Sequence, residues 1–373
     1  MTTLASPAVE SPAALLLGWD SIELWVGNAR AVAQLFMSGF GFTCTSYAGP
    51  ETGVRDHCSY VLEQGAVRLV ITAGLEPASE VWEHVRRHGD GVRTLAFAVD
   101  DVTAAFRATM DRGAAPITAP LTVADAGGEV ESAAVQAYGE TIHRFVRRHH
   151  TVFAPGFTAA GLISTRVGDE VGLTYVDHVV GNVPEGELSR WVDFYQRVFG
   201  FHELTHFDRD QISTEFSALR STVVTNGSGI TMPINEPAEG RKRSQIQEYL
   251  DAYSGSGVQH IALGTRDIVG AVAELRRRGI RFLTPPRSYY DDARHRMDDA
   301  GVSLPWADLA ELGILVDRES GGYLLQVFTE PVGDRPTLFF EVIERHGASG
   351  FGEGNFKALF EAIEREQAKR GNL

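Results

Sequence analysis

Two histidines and one glutamate in the second half of this 373-residue chain have the types and spacing to hold a divalent metal. Glu341 stands between Phe340 and Val342 in the run Pro336-Thr-Leu-Phe-Phe-Glu-Val-Ile-Glu-Arg345, whose β-branched and aromatic character predicts a buried strand. Burying a carboxylate costs several kcal/mol unless something compensates the charge. A cation is the natural compensation. His178 and His260 precede Glu341 at nearly even spacing, 82 and 81 residues apart. Two imidazoles and one carboxylate from three separate strands would hold one face of a metal ion and leave the opposite face open.

The elements that must position these ligands are written more than once. Trp19-Asp-Ser-Ile-Glu-Leu-Trp-Val-Gly-Asn28 predicts a strand and turn, followed by a helix from Ala29 to Ser38 and then Gly39-Phe-Gly-Phe42. Tyr175-Val-Asp-His-Val-Val-Gly-Asn182, a longer helix through Trp191 and Tyr195, and Phe199-Gly-Phe201 repeat the pattern, with an insertion near Pro184 to Glu187. Gly89-Asp-Gly-Val-Arg-Thr-Leu-Ala-Phe97 matches Gly255-Ser-Gly-Val-Gln-His-Ile-Ala-Leu263, and each is followed by a helical stretch and an Arg-Gly. Such repetition indicates duplication of one supersecondary unit. The predicted class is α+β: tandem βαβββ modules curl into two open β-barrel domains. Matching the Gly-Asn turns aligns His178 with Leu24, and His260 aligns with Thr94. Gly139-Glu-Thr-Ile-His-Arg-Phe145 aligns with Gly322-Tyr-Leu-Leu-Gln-Val-Phe328, leaving Glu341 without a counterpart. A lone strand histidine is usually a hydrogen-bonded core residue. Two that occur in one of two related halves, with a buried acid, point to a site added to a duplicated scaffold.

The expected organisation is a loose, disordered tail over residues 1–17, a domain without ligands over 18–155, and a Gly-, Ala- and Thr-rich linker over 156–173. A catalytic domain over 174–345 and a terminal helix over 346–373 follow. In that last segment glycines 347, 350, 352 and 354 precede a stripe of Phe356, Leu359, Phe360 and Ile363, with Asn355 as the expected cap. The pattern fits either a docked terminal helix or a lid on a glycine-rich hinge. A formal charge of −15 argues against nucleic acid as a partner. No apolar run reaches membrane-spanning length. Cys44 and Cys58, the two cysteines, form no CxxC pair, which excludes a thiolate metal cluster and makes a reducing cytoplasm the default.

Several stretches together resemble 4-hydroxyphenylpyruvate dioxygenase. They are Pro233-Ile-Asn-Glu-Pro237, Lys242-Arg-Ser-Gln-Ile-Gln-Glu-Tyr249, Gly257-Val-Gln-His-Ile-Ala262, Gly322-Tyr-Leu-Leu-Gln-Val-Phe328, Asp334-Arg-Pro-Thr-Leu-Phe-Phe-Glu341 and Gly350-Phe-Gly-Glu-Gly-Asn-Phe356. The resemblance is dense from Tyr175 to Leu373 and thinner before. It implies a tandem vicinal-oxygen-chelate (glyoxalase-like) fold with a C-terminal lid helix. It also implies Fe(II) on His178, His260 and Glu341, and oxidation of 4-hydroxyphenylpyruvate by O2 to homogentisate and CO2 in tyrosine and phenylalanine catabolism. By the same resemblance Ser221, Asn235 and Gln245 surround the substrate ring and its hydroxyl. Gln259 and Gln326 act near the metal-bound end, and Phe328 and Phe356 flank the ring. The family forms homodimers and homotetramers. Amides at strand ends often serve only the backbone, and phenylalanines are often only core.

Three other readings share features with this one. Hydroxymandelate synthase keeps the triad and the substrate but oxidises the benzylic carbon; it carries aliphatic residues where this chain has Asn235 and Phe356. An extradiol catechol dioxygenase shares the fold and the ligand set. A non-catalytic ligand-sequestering protein shares the module and usually lacks a full triad.

Overall fold

The computed structural model describes residues 11–160, 168–207, 218–298, 302–319 and 321–372. Two mixed sheets form the molecule, one of nine strands built from the first half and one of eight from the second. In each half the first strand, Leu16–Trp25 or Leu173–Asn182, lies at the centre. It pairs in parallel with the fourth strand and antiparallel with the fifth, Gly91–Val99 or Gly257–Thr265. The fifth strand then pairs in parallel with the last, Ile142–His150 or Phe339–His346. The duplicated βαβββ units and their half-barrel closure therefore stand as expected.

Helix starts follow the local chemistry. Asn28 accepts from Ala31 N at the head of the helix Ala29–Ser38, and Ser244 accepts from Gln247 N at the head of Gln245–Tyr253. The longer second-copy helix, Leu188–Phe194, continues as a π-helical turn over Tyr195–Phe199, and the turn at Pro184 to Glu187 supplies the extra residues.

Three expectations are corrected. The chain is ordered before residue 18: a helical turn spans Pro12–Leu15 and the strand begins at Leu16, with Ala13 and Leu16 buried in the main core. Within the predicted linker, Thr158–Ala159 extends the first sheet, while residues 161–167 lie outside the described residues. The alignment of the halves also shifts. His178 faces Ala262 across a bulge as Ser21 faces Ala96 across the matching bulge, so Ser21, not Leu24, is the counterpart of His178. Ala262 pairs with Glu341 and Ala96 pairs with Arg144, so Glu341 has a counterpart after all. Turn dipeptides had suggested another register because they mark strand ends and do not count the bulges.

The strand carrying Glu341 bridges the two halves. Phe340, fully buried, lies 5.3 Å from Phe36 and 5.5 Å from Phe40, ring centre to ring centre, on the first-half helix and its following turn. Alternation then turns Phe339, Glu341 and Ile343 to the other face. First-half packing thus fixes the tilt of a second-half functional strand.

Candidate metal centre

Glu341 is 1% exposed, and its Oε2 receives both imidazoles, His178 Nε2 at 3.2 Å and His260 Nε2 at 3.4 Å. One donor atom from each of the three lies within 4.8 Å of the others. Glu341 Oε1 is buried without a hydrogen bond among the described residues. An orphaned carboxylate oxygen beside two convergent imidazoles is the condition a divalent cation relieves, so the residues fit a metal.

The outer nitrogens are held as metal-ligating histidines require. His178 Nδ1 is 2.8 Å from Asp177 Oδ2, and Arg345 grips Asp177 with two bonds of 2.7 Å. His260 Nδ1 is 3.0 Å from Gln259 Oε1. An acceptor-only oxygen behind each ring puts the proton on Nδ1 and turns the Nε2 lone pair inward. Phe339 stacks on His260 at 4.8 Å, Phe328 meets it edge-on at 5.9 Å, and Phe351 meets His178 edge-on at 5.1 Å.

The electrostatics report the same demand for positive charge. Burial alone would lower His178, but the facing carboxylates of Glu341 and Asp177 outweigh it and lift the group to about 9. Burial opposes ionisation of Glu341 and Asp177, yet the imidazoles, and for Asp177 also Arg345, hold both below the ordinary carboxylate range. Burial dominates at His260, which is pushed down towards the neutral form that ligates. Without a metal the site recruits a proton in its place.

The other sequence-derived residues stand as follows. Ser221 and Asn235 are buried cross-strand partners, and Asn235 Nδ2 reaches Asn182 Oδ1 at 3.4 Å. Gln245 opens its helix and lines a small cavity with Gln259, Phe339 and Ile363. Gln326 is 2% exposed with an unpartnered Nε2, and Phe328 pairs directly with Glu341. Phe356 packs edge-on against Phe207 at 5.1 Å. Gln259, expected near the metal-bound end, lies against the outer nitrogen of His260.

The terminal helix, Phe356–Lys369, is docked: Arg370 pairs with Glu248 at 2.8 Å. Asn355 does not cap it, because its Oδ1 accepts from Tyr289 Oη at 2.6 Å. The glycine hinge is tied down by Glu319, which accepts from Gly350 N and Gly352 N, and by Asp317, which accepts from Gly354 N. Gly352 has φ +71°, and a Cβ there would meet Gln326 Nε2 at 2.5 Å, so the position requires glycine. Sequence reasoning missed Asp177, Arg345, Phe351 and Glu319. Asp177-His178 was the one readable signal, since a carboxylate so often backs a ligating histidine. Burial raises both thiols, Cys44 to about 12, which makes them poor nucleophiles.

Residues 175–327 match the glyoxalase/bleomycin resistance protein/dioxygenase superfamily. Together with the curled half-barrels and the buried trio, this makes the chain a member of the vicinal-oxygen-chelate class. Residues 10–154 match the N-terminal domain of hydroxyphenylpyruvate dioxygenase. The 4-hydroxyphenylpyruvate dioxygenase of Danio rerio is 44% identical, over 100% of this chain and 96% of that protein. That of Aspergillus fumigatus is 42% identical, over 98% and 96%. The chain belongs to the 4-hydroxyphenylpyruvate dioxygenase family of enzymes. A mutant 4-hydroxymandelate synthase from Streptomyces coelicolor has a similar structure, with TM-score 0.84, 36% identity, and coverage of 94% of this chain and 99% of that one.

Proposed function

We propose that the enzyme oxidises 4-hydroxyphenylpyruvate with O2 to homogentisate and CO2, using Fe(II) held by His178, His260 and Glu341. The observation carrying this reading is the convergence of two imidazole Nε2 atoms on one buried carboxylate oxygen, in the second half of a chain of this family. Imidazole and carboxylate suit Fe(II), which when bound would offer open positions to the substrate's carboxylate and keto oxygens and activate dioxygen. The keto acid brings the two further electrons, so no nicotinamide, flavin or separate 2-oxoglutarate enters.

The chain's own residues bind, orient and exclude water. Asp177 and Gln259 keep the ligand lone pairs aimed inward. Gln326, with its free amide donor, serves the keto-acid end. Ser221 and Asn235, side by side on neighbouring strands, and Gln245 form the polar set for the ring and its hydroxyl. Phe328 and Phe356 clamp the ring, while Phe339 and Phe351 wall off the imidazoles from water. The docked helix closes the site, and its glycine hinge is the part that must yield for exchange.

The proposal extends to a homodimer or homotetramer in the cytoplasm. Ile117, Leu121 and Val123 lie 45–55% exposed on the edge strand Pro116–Asp125 of the first half, a surface suited to burial against another copy. Among the described residues no helix is long and apolar enough to cross a membrane.

Mass identification of the product from keto acid, Fe(II) and O2 tests the reading. Homogentisate is expected; mandelate without homogentisate would overturn it. That second outcome is the reading favoured by the structural likeness to 4-hydroxymandelate synthase. Oxygen uptake with catechols but not with keto acid would point instead to extradiol cleavage. Phe356→Ile should loosen the ring clamp and divert product, and an unchanged product ratio would remove that role from Phe356.

A further inference from the structure

A second group of metal-ligating side chains lies in the first half, on the seam with the second. His84 and His88 are one turn apart on the helix Glu80–His88, so both project from one face. Glu140 sits in the turn between the strands Gly128–Gln136 and Ile142–His150, where Arg93 holds its backbone carbonyl. Glu140 Oε2 is 2.7 Å from His84 Nδ1, and Glu140 Oε1 is 3.3 Å from His88 Nε2. The two imidazoles are almost fully buried, at 1% and 4% side-chain exposure, whereas Glu140 at 32% opens the group to solvent.

The protons decide what this group is for. His88 Nδ1 lies 2.5 Å from the backbone oxygen of Tyr253, which can only accept, so the proton resides on Nδ1. The other nitrogen, Nε2, is buried, makes no hydrogen bond among the described residues, and points at a carboxylate oxygen 3.3 Å away. A cation held between that nitrogen and the carboxylate would be ligated by both, and one donor atom from each of His84, His88 and Glu140 lies within 4.8 Å of the others. His84 is held at both ends: its Nδ1 is 2.7 Å from Glu140 Oε2, and its Nε2 is 3.5 Å from Tyr253 Oη. One residue of the second half therefore backs both rings, as the outer partners of metal ligands do.

We propose that His84, His88 and Glu140 bind a divalent cation of the zinc type, separate from the catalytic centre. Two imidazoles and one carboxylate are a common three-ligand set for zinc, with the fourth position left to water from the Glu140 side. The donors need move apart by only a fraction of an ångström. Arg87, half exposed, lies 2.6 Å from Glu140 Oε1 and is the competing cation; it must swing into solvent when metal binds. Because Tyr253 ends the helix that begins at Gln245, metal here would clamp the first-half helix to a substrate-pocket helix of the second half.

Equilibrium dialysis with Zn(II) tests this on the full-length chain. A His178→Ala/Glu341→Ala chain should still bind one equivalent and gain thermal stability on binding. Adding His88→Gln should abolish both, while His88→Gln alone should leave the iron enzyme's turnover unchanged. Arg87→Met, a solvent-side change that keeps the fold, should tighten zinc roughly five- to tenfold by removing an opposing charge. No zinc bound by the His178→Ala/Glu341→Ala chain, full binding without His88, or unchanged affinity in Arg87→Met would each overturn the proposal.

Discussion

The two halves carry the same supporting frame around opposite contents. In the second half Asp177 occupies a bulge, bonds to His178 and is gripped by Arg345, whose guanidinium lies 5.7 Å over Phe351. In the first half Asp20 occupies the matching bulge, accepts from Ser21 at 2.8 Å and is gripped by Arg148, whose guanidinium lies 3.9 Å over Phe153. The frame of bulge, acid, arginine and phenylalanine is thus present twice. The ligands are not: His178, His260 and Glu341 face Ser21, Thr94 and Arg144, and these three line a first-half cavity of about 430 Å³. Arg144 inverts the charge at the position of Glu341, so the three matching positions offer no imidazole or carboxylate to a metal. The frame is therefore structural, and the site is what three substitutions make of it.

The strongest break in the comparison is Glu341→Ala or His260→Ala, which should abolish iron retention and turnover; retention of full metal and activity would dismiss the triad. Next in size, Asp177→Asn should weaken metal binding about 10- to 100-fold by releasing the ring of His178. The same change at Asp20 should lower stability alone, with metal content by atomic absorption unaltered. If both changes behaved alike, the distinction between frame and site would be lost.

A pH series gives a smaller, graded effect. In metal-free protein His178 is raised to about 9, so the stability it contributes is fully present below its ordinary value near 6.5 and fades as pH rises through 9. Asp177 and Glu341 are depressed, so their contribution holds above the ordinary carboxylate range and is lost as pH falls through it. Metal-free melting temperature should therefore decline between pH 6.5 and 9, and iron loading should flatten that slope. Parallel slopes with and without iron would count against the assigned cause. Smallest of all, Arg144→Met should leave turnover within error; a loss of activity would show that the halves are functionally coupled there.

The convergent trio was legible in the sequence because a repeat exposes what only one copy contains. Their supports were not. Alternation along a strand sends Asp177 and His178 to opposite faces, and only the bulge lets the acid reach the neighbouring ring. A bulge also hid Ser21 as a counterpart, since matching Gly-Asn turns counts residues and not hydrogen-bond register. Aligning residues 139–145 with 322–328 matched the wrong strand and hid Arg144. Asn355 illustrates a different limit: its sequence position suits a helix cap, but a tertiary partner, Tyr289, takes the side chain. The terminal helix itself was readable from its apolar stripe, whereas its docking through Glu248 rests on residues about 120 positions away.

Phe340 bears on why the unliganded half persists. Its ring is held by Phe36 and Phe40, and deleting such a buried ring typically costs about 3–5 kcal/mol. The residue next in sequence is a metal ligand. The half without the trio therefore supports the strand that carries the carboxylate. The first half thus serves as an anvil for Glu341: removing its phenylalanines would loosen the strand that carries the carboxylate.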